Sequence, residues 1–204
     1  MILARSAETE EMRSLAFVLL AVLTVLTVAL HHGAAAAAKG GDLRLSRIAS
    51  ELARRPVTIR CEGASGALTG PGGESGRTGF IDDKPVSTSY LQSGICQTLH
   101  VYARSLKACL LPCRQPLGIA WSLNTLAHES YHLAGARNEA ETECYALQAI
   151  DFVAHRLGAS DPQARAMANF AFEQLPQRMP PEYRSPKCHD GGEYDLRPDD
   201  PIWP

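Results

Sequence analysis

The sequence contains 204 residues, with 20 basic and 22 acidic side chains and a formal net charge of −2 at pH 7. No basic stripe stands out, which argues against a nucleic acid or an anionic membrane surface as the partner. The length suits one domain with a modest core, and no internal repeat is visible.

The N-terminus has the pattern of an export signal. A nearly unbroken apolar run from Ala16 to Leu30 follows Arg13 and precedes an alanine-rich stretch with several Ala-x-Ala sites. This pattern predicts a secretory signal peptide over residues 1–38. The run is shorter than the ~20 residues that comfortably span a bilayer, and an uncleaved anchor is the alternative. Met12 offers an alternative start directly before Arg13. We therefore expect a secreted protein, or a membrane-anchored one facing outside, with a single domain over 39–204.

The first half of this domain alternates between helical and extended patterns. Leu43 to Arg55 reads as an amphipathic helix, and Val57 to Cys61 as a short strand. Residues 63–79 carry seven glycines and are predicted to be a flexible loop, either at the surface or as a flap over a site. Cys96 to Val101 is interpreted as a further strand.

The second half is predominantly helical. Leu117 to Leu133 contains no proline and has apolar residues at helical spacing on both sides of its polar centre, which predicts a buried helix. A second helix is predicted over 138–157. A third begins at Ser160-Asp161-Pro162, which supplies good capping chemistry, and runs to about Leu175. Residues 176–204 are expected to form a coil.

Six cysteines lie beyond the apolar segment, and an even count in an exported chain suggests three disulfides. Sequence order favours Cys61 with Cys96, and Cys144 with Cys188, which would hold the C-terminal coil to the second predicted helix. A zinc–thiolate cluster is the alternative. Cys109 and Cys113 are spaced as one pair of zinc ligands, but the sequence offers no second cysteine pair to complete such a cluster.

The residues with the clearest chemistry are His128-Glu129-Ser130-Tyr131-His132, which match His-Glu-x-x-His. Residues four apart lie on one face of a helix, so both imidazoles can bind a single metal ion. Glu129 then lies beside the ion, where it can act as the general base and acid for a zinc-activated water.

A third ligand is expected directly after the motif. Gly135 allows the first helix to end in a left-handed turn, and Asn138 can cap the next one. Glu139 and Glu143 then lie one turn apart on the second helix. A catalytic zinc needs three protein ligands and an open position. Glu139 is the expected third ligand, and Glu143 can hydrogen-bond a ligating histidine.

The stretch from 130 to 150 resembles the gluzincin branch of zinc metallopeptidases, which pair His-Glu-x-x-His with a glutamate on a following helix. In several compact members this helix reads roughly Glu-x-Glu-Ala-Asp/Asn-x-x-Ala. Glu139, Glu141 and Ala146 match its first, third and eighth places, whereas Thr142 stands where Ala is usual and Glu143 where Asp or Asn is usual. The gap between His132 and Glu139 is short for that branch. In the alternative metzincin alignment, Gly135 matches the family glycine, and the third ligand would be Asn138, a poor zinc ligand.

The resemblance implies a compact zincin-like domain, α+β and predominantly α, with a small β-sheet and two motif helices. It implies a zinc metallopeptidase that acts on peptides or proteins, with Glu129 as its base. The alternative is a non-catalytic exported domain whose zinc site is structural or degenerate and which serves as a binding module. Zincins often add a side chain that stabilises the oxyanion. Four candidates exist here, each more readily given a structural role: His100, Tyr183, His189 and Tyr194.

Overall fold

The computed structural model describes residues 40–62, 75–105, 116–200 and 202–203. The expected signal segment, most of the glycine-rich stretch, Cys109 and Cys113 lie outside these residues. Six helices and a three-stranded sheet make up the described part, together with two disulfides. The predicted α+β, mainly helical, disulfide-linked architecture is thus confirmed. No helix in the described ranges is long and apolar enough to cross a membrane.

The helices are α1 (Leu43–Ala53), α2 (Ser93–Ser105), α3 (Pro116–Ala134), α4 (Glu139–Gln148), α5 (Ile150–Arg156) and α6 (Asp161–Gln174). The strands are β1 (Thr58–Cys61), β2 (Gly76–Ile81) and β3 (Lys84–Leu91), and a 3-10 helix spans Pro181–Tyr183.

Helix α3 lies at the centre of the fold, and its observed span differs from the predicted one by a single residue at each end. It packs against α1, α2, α4 and α6 and against strands β2 and β3. Leu123, Leu126 and Leu133 are fully buried on it. Because neighbours surround the helix, its polar residues His128 and Glu129 are buried as well. Buried polar groups of this kind need hydrogen-bond partners.

The sheet has the order β1–β3–β2, with β1 parallel and β2 antiparallel to β3. A tight turn joins β2 to β3 through Asp82 and Asp83, whose φ angles of 48° and 62° suit a two-residue hairpin loop. Strand β2 is one of the two edges of the described sheet and borders α3. The prediction of a loop through residue 79 was therefore wrong from Gly76 onward.

Two further predictions are corrected. The segment from Cys96 to Val101 is helical rather than extended, because Cys96, Leu99 and Tyr102 recur at three-residue spacing and bury one helix face. The helix predicted over 138–157 breaks at Ala149, whose φ of −101° and ψ of 1° leave the helical ladder. The side chain of Gln148 is engaged there by the C-terminal coil, since it donates to Tyr194 O at 2.8 Å.

Both favoured disulfide pairings are present. Cys61 at the end of β1 is bonded to Cys96 in α2, and Cys144 in α4 is bonded to Cys188 in the C-terminal coil. The second bond holds the coil, with its 3-10 helix, beside the start of α4. The coil therefore forms a wall next to the motif helices.

Candidate metal centre

The two motif histidines converge as their spacing predicts. His128 and His132 lie one turn apart on α3, and both are largely buried. Their Nε2 atoms are 2.9 Å apart. Gly135, with a φ of 115°, ends the helix directly behind them. Its N–H donates to the carbonyls of Tyr131 and His132 at 3.1 and 3.0 Å.

Glu139 completes a three-atom group with these histidines. Asn138 caps α4 by accepting from Glu141 N at 3.0 Å, which fixes the start of that helix. Glu139 Oε2 then lies 3.0 Å from His128 Nε2 and 3.3 Å from His132 Nε2.

This triangle of donor atoms matches what a metal ion needs. Tetrahedral ligands at zinc-like bond lengths lie about 3.3 to 3.4 Å apart, so the observed separations require only a slight expansion. No other group of three or more metal-type side chains in the described part of the chain converges in this way. His128, His132 and Glu139 could therefore hold a metal ion.

A second set of contacts involves the Nδ1 atoms of His128 and His132, and it leaves their Nε2 atoms directed toward a possible metal ion. His128 Nδ1 lies 3.0 Å from Glu143 Oε2, and His132 Nδ1 lies 2.8 Å from the carbonyl of Ala136. Because carboxylate and carbonyl oxygens only accept, each Nδ1 carries the proton, and a neutral ring then presents Nε2 as the lone-pair donor. Glu143 is itself fixed by Asn124, whose Nδ2 donates at 2.9 and 3.1 Å to its two oxygens.

The protonation of the metal-free group follows from these contacts. Burial disfavours the charged form of His128, but hydrogen bonds to Glu139 and Glu143 outweigh it and raise its pKa to about 9. Hydrogen bonds from His128 and His132 lower the pKa of Glu139 to about 2. In the absence of an ion, the proton on His128 thus takes the place of a bound cation.

Glu129 points from α3 toward the sheet and is almost fully buried. Its Oε2 accepts hydrogen bonds from Thr78 Oγ1 at 2.6 Å and from Ser89 Oγ at 3.0 Å. Burial is the dominant effect and raises the pKa of this carboxyl group. A raised pKa is what a glutamate needs to exchange protons near neutral pH.

Sequence reasoning missed the residues that hold Glu129. Thr78 and Gly76 lie in β2, inside the stretch interpreted as a loop, and Ser89 lies in β3. The only local signal was the two-residue alternation through Thr78 and Phe80, which the surrounding glycines obscure.

A cavity of about 630 Å³ opens over this group and is lined by five side chains described above: His128, Glu129, His132, Glu139 and Glu143. Strand β2 forms one wall, and the coil after α6 forms another. From this coil the ring of Tyr183 lies over His128, with the ring centroids 5.6 Å apart.

Tyr183 is the one proposed oxyanion residue that lines this cavity. His100, in α2, pairs instead with Asp42 at 2.7 Å. His189 bonds to its own segment through the carbonyl of Asp190. Tyr194 packs its ring against Tyr145. These three contacts account for the other candidates as structural residues.

Comparison with known proteins gave no match to a protein-family model, to a curated protein or to a solved structure. The geometry of the centre therefore carries the functional conclusion by itself.

Proposed function

We propose that this protein is a zinc-dependent metallopeptidase that hydrolyses peptide bonds. The observation that carries the proposal is the triangle of His128 Nε2, His132 Nε2 and Glu139 Oε2, with sides of 2.9, 3.0 and 3.3 Å. Glu129, which is buried and is not one of the three candidate ligands, lines the same open cavity beside this triangle. A purely structural site has no use for a base in that place.

Zinc is proposed because two imidazoles and one carboxylate are a ligand set typical of its catalytic sites. When bound, zinc lowers the pKa of a water molecule in the open position and polarises the scissile carbonyl. Glu143 and the carbonyl of Ala136 hold the two imidazole rings in the orientation and tautomer that binding requires.

Glu129 is the proposed general base and acid. Its two hydrogen bonds from Thr78 and Ser89 occupy Oε2 and leave Oε1 to accept a proton from the attacking water. The same carboxyl group can then donate this proton to the leaving amine. Burial raises its pKa, which brings the ionised and protonated forms of Glu129 closer in free energy. This favours both proton uptake from the water and proton donation to the leaving amine.

The substrate is proposed to be a peptide in an extended conformation. Strand β2 is an edge strand of the described sheet and lines the cavity beside Glu129. A peptide can add to such an edge through main-chain hydrogen bonds. Tyr183, on the opposite wall, is a candidate to donate its hydroxyl proton to the developing oxyanion.

We propose that the site works outside the cytoplasm. The apolar segment after Arg13 is the expected export signal, and the bonds Cys61–Cys96 and Cys144–Cys188 are compatible with an oxidising compartment.

The test combines zinc analysis with peptide hydrolysis. The purified protein should contain one zinc and cleave members of a mixed peptide library. His128→Ala and Glu139→Ala should lose the zinc. Glu129→Gln should keep it and lose hydrolysis, because the amide cannot accept the proton.

Glu141→Gln is the matched control. It replaces a glutamate of the same helix that does not line the cavity, so zinc content and hydrolysis should not change. A wild-type protein that binds zinc but cleaves no peptide would instead support the non-catalytic binding module. A protein without zinc affinity would contradict both hypotheses.

A further inference from the structure

The charged side chains around the cavity divide into two groups. The centre contains the three acidic residues of the metal group and its base: Glu129, Glu139 and Glu143. Among the described residues that line the cavity, the other charged side chains are three arginines, here called the cationic margin: Arg77, Arg137 and Arg178. Since the whole chain carries a net charge of −2, this cationic margin is a local feature rather than a reflection of general basicity.

Two of these arginines are held in place by neighbours. Arg77 pairs with Glu62 and lies over the ring of Tyr90 at 5.1 Å. Arg137 pairs with Asp83 at 2.7 Å and lies over the ring of Phe80 at 5.7 Å. Their charges are partly neutralised by these carboxylates, so they shape the field of the margin without being free to bind a further anion strongly.

Arg178 differs because it has no carboxylate partner among the described residues. Its Nη1 donates to the carbonyl of Gln174 at 2.6 Å, which secures the guanidinium at the end of α6. A guanidinium has five N–H donors in a planar fork, so most of them remain available. The next residue, Met179, is buried at 7% exposure and anchors this part of the wall.

We propose that Arg178 determines substrate specificity by binding a carboxylate of the substrate, so that the site selects peptides that present a carboxylate close to the scissile bond. The inference rests on the proposed function and names the substrate class of the same site. Planar carboxylates match the guanidinium fork in two parallel hydrogen bonds. The carboxylate can belong to an aspartate or glutamate side chain near the scissile bond, or to the C-terminus of the peptide.

Binding can be measured without turnover in zinc-loaded Glu129→Gln protein. The probes are Gly/Ala decapeptides labelled with an uncharged fluorophore, and binding is followed by fluorescence anisotropy. One series carries a single Glu or Gln at each central position, with an amidated C-terminus. A second series has only uncharged side chains, and its members differ only in a free or an amidated C-terminus.

The expected result is that one carboxylate-bearing series binds about fivefold more tightly than its neutral partner, as suits a partly exposed ion pair. Addition of Arg178→Gln should remove this preference, and Arg178→Lys should keep part of it. Charge reversal, Arg178→Glu, should transfer the preference to a Lys-containing peptide. Arg47→Gln replaces an exposed arginine of α1 that does not line the cavity, and it should leave the preference intact.

Equal binding of the acidic and neutral probes, or a preference that survives Arg178→Gln, would overturn the inference. The series that responds identifies the source of the carboxylate. Failure of the peptidase proposal has a different signature, because zinc-loaded wild-type protein would then bind the acidic probes through Arg178 without cleaving them.

Discussion

Gly76 is the residue whose substitution tests most directly how the sheet positions the proposed base. It lies at the start of β2, opposite Glu129 of α3. A Cβ atom added there would come within 2.7 Å of Glu129 Cγ, 2.8 Å of Oε1 and 2.9 Å of Cδ. Gly76→Ala is therefore expected to displace the side chain of Glu129 while leaving every metal ligand in place.

The size of the effect follows from these distances. Ordinary van der Waals contact begins at 3.4 Å, so Glu129 must retreat by about 0.7 Å from the closest approach. The retreat strains the hydrogen bonds from Thr78 and Ser89, which are 2.6 and 3.0 Å long. A displacement of about 1 Å in a reacting group can cost on the order of 100-fold in rate. We therefore expect kcat/KM to fall by about 10- to 100-fold, and the overpacked contact to lower the free energy of unfolding by about 1 to 3 kcal/mol.

The assay compares Gly76→Ala with Gly79→Ala on the same strand. An added Cβ at Gly79 would meet its nearest atoms, in Val86, at an ordinary 3.9 Å. Both variants should bind zinc as the wild type does, by metal analysis, and the Gly79 variant should retain its activity on the library peptides. Unchanged kcat/KM in Gly76→Ala would refute the reasoning, as would an equal loss in the two variants.

Three further predictions concern the metal and the coil. Glu143→Gln should weaken zinc binding by about 10- to 100-fold in a chelator competition, since the amide holds His128 Nδ1 less well; an unchanged affinity would mean that the ring needs no such support. Zinc affinity should rise with pH and level off above the pKa of His128, about 9 in the metal-free protein, because its proton must leave before the ion binds. Calorimetry in two buffers of different ionisation enthalpy measures that proton, and buffer-independent heats would contradict its release. Replacing both Cys144 and Cys188 by Ser opens a link with a sequence separation of 44 residues. It should lower the free energy of unfolding by about 4 kcal/mol; an unchanged denaturant midpoint would show that the coil is held by its other contacts.

The metal group was predictable because its geometry is local. Helical periodicity sets the separation of His128 and His132, and the glycine turn with the Asn138 cap sets the direction of the next helix. Glu139 and Glu143 follow from that direction, since each is placed by its position in the first turns of α4. Interactions between residues this close in sequence depend on helix periodicity and capping, and both can be inferred from a single sequence.

The surroundings of Glu129 were not predictable because they are long-range. Thr78 and Ser89 are separated from Glu129 by 51 and 40 residues along the chain. Their approach depends on how a three-stranded sheet packs against α3, which no local pattern encodes. Glycines around β2 also lowered its apparent strand propensity, although Gly76 is required there by the closeness of Glu129.

The remaining errors also arise from tertiary contacts. The break at Ala149 coincides with the coil that engages Gln148, and nothing between 138 and 157 signals it in sequence. In α2, Thr98 and Val101 favour extended structure by their branching. Burial of Leu99 and Tyr102 against the core outweighs that preference.

The short connection between α3 and α4 bears on the order in which the centre assembles during folding. All three candidate ligand atoms lie between His128 and Glu139, so the group that could bind the ion has a very low contact order. The setting of the proposed base, Glu129, requires distant strands instead. Local contacts form sooner than non-local ones. We therefore expect a folding chain to acquire any metal affinity at the helical-hairpin stage, and to position its proposed proton-transfer group only once the sheet has docked.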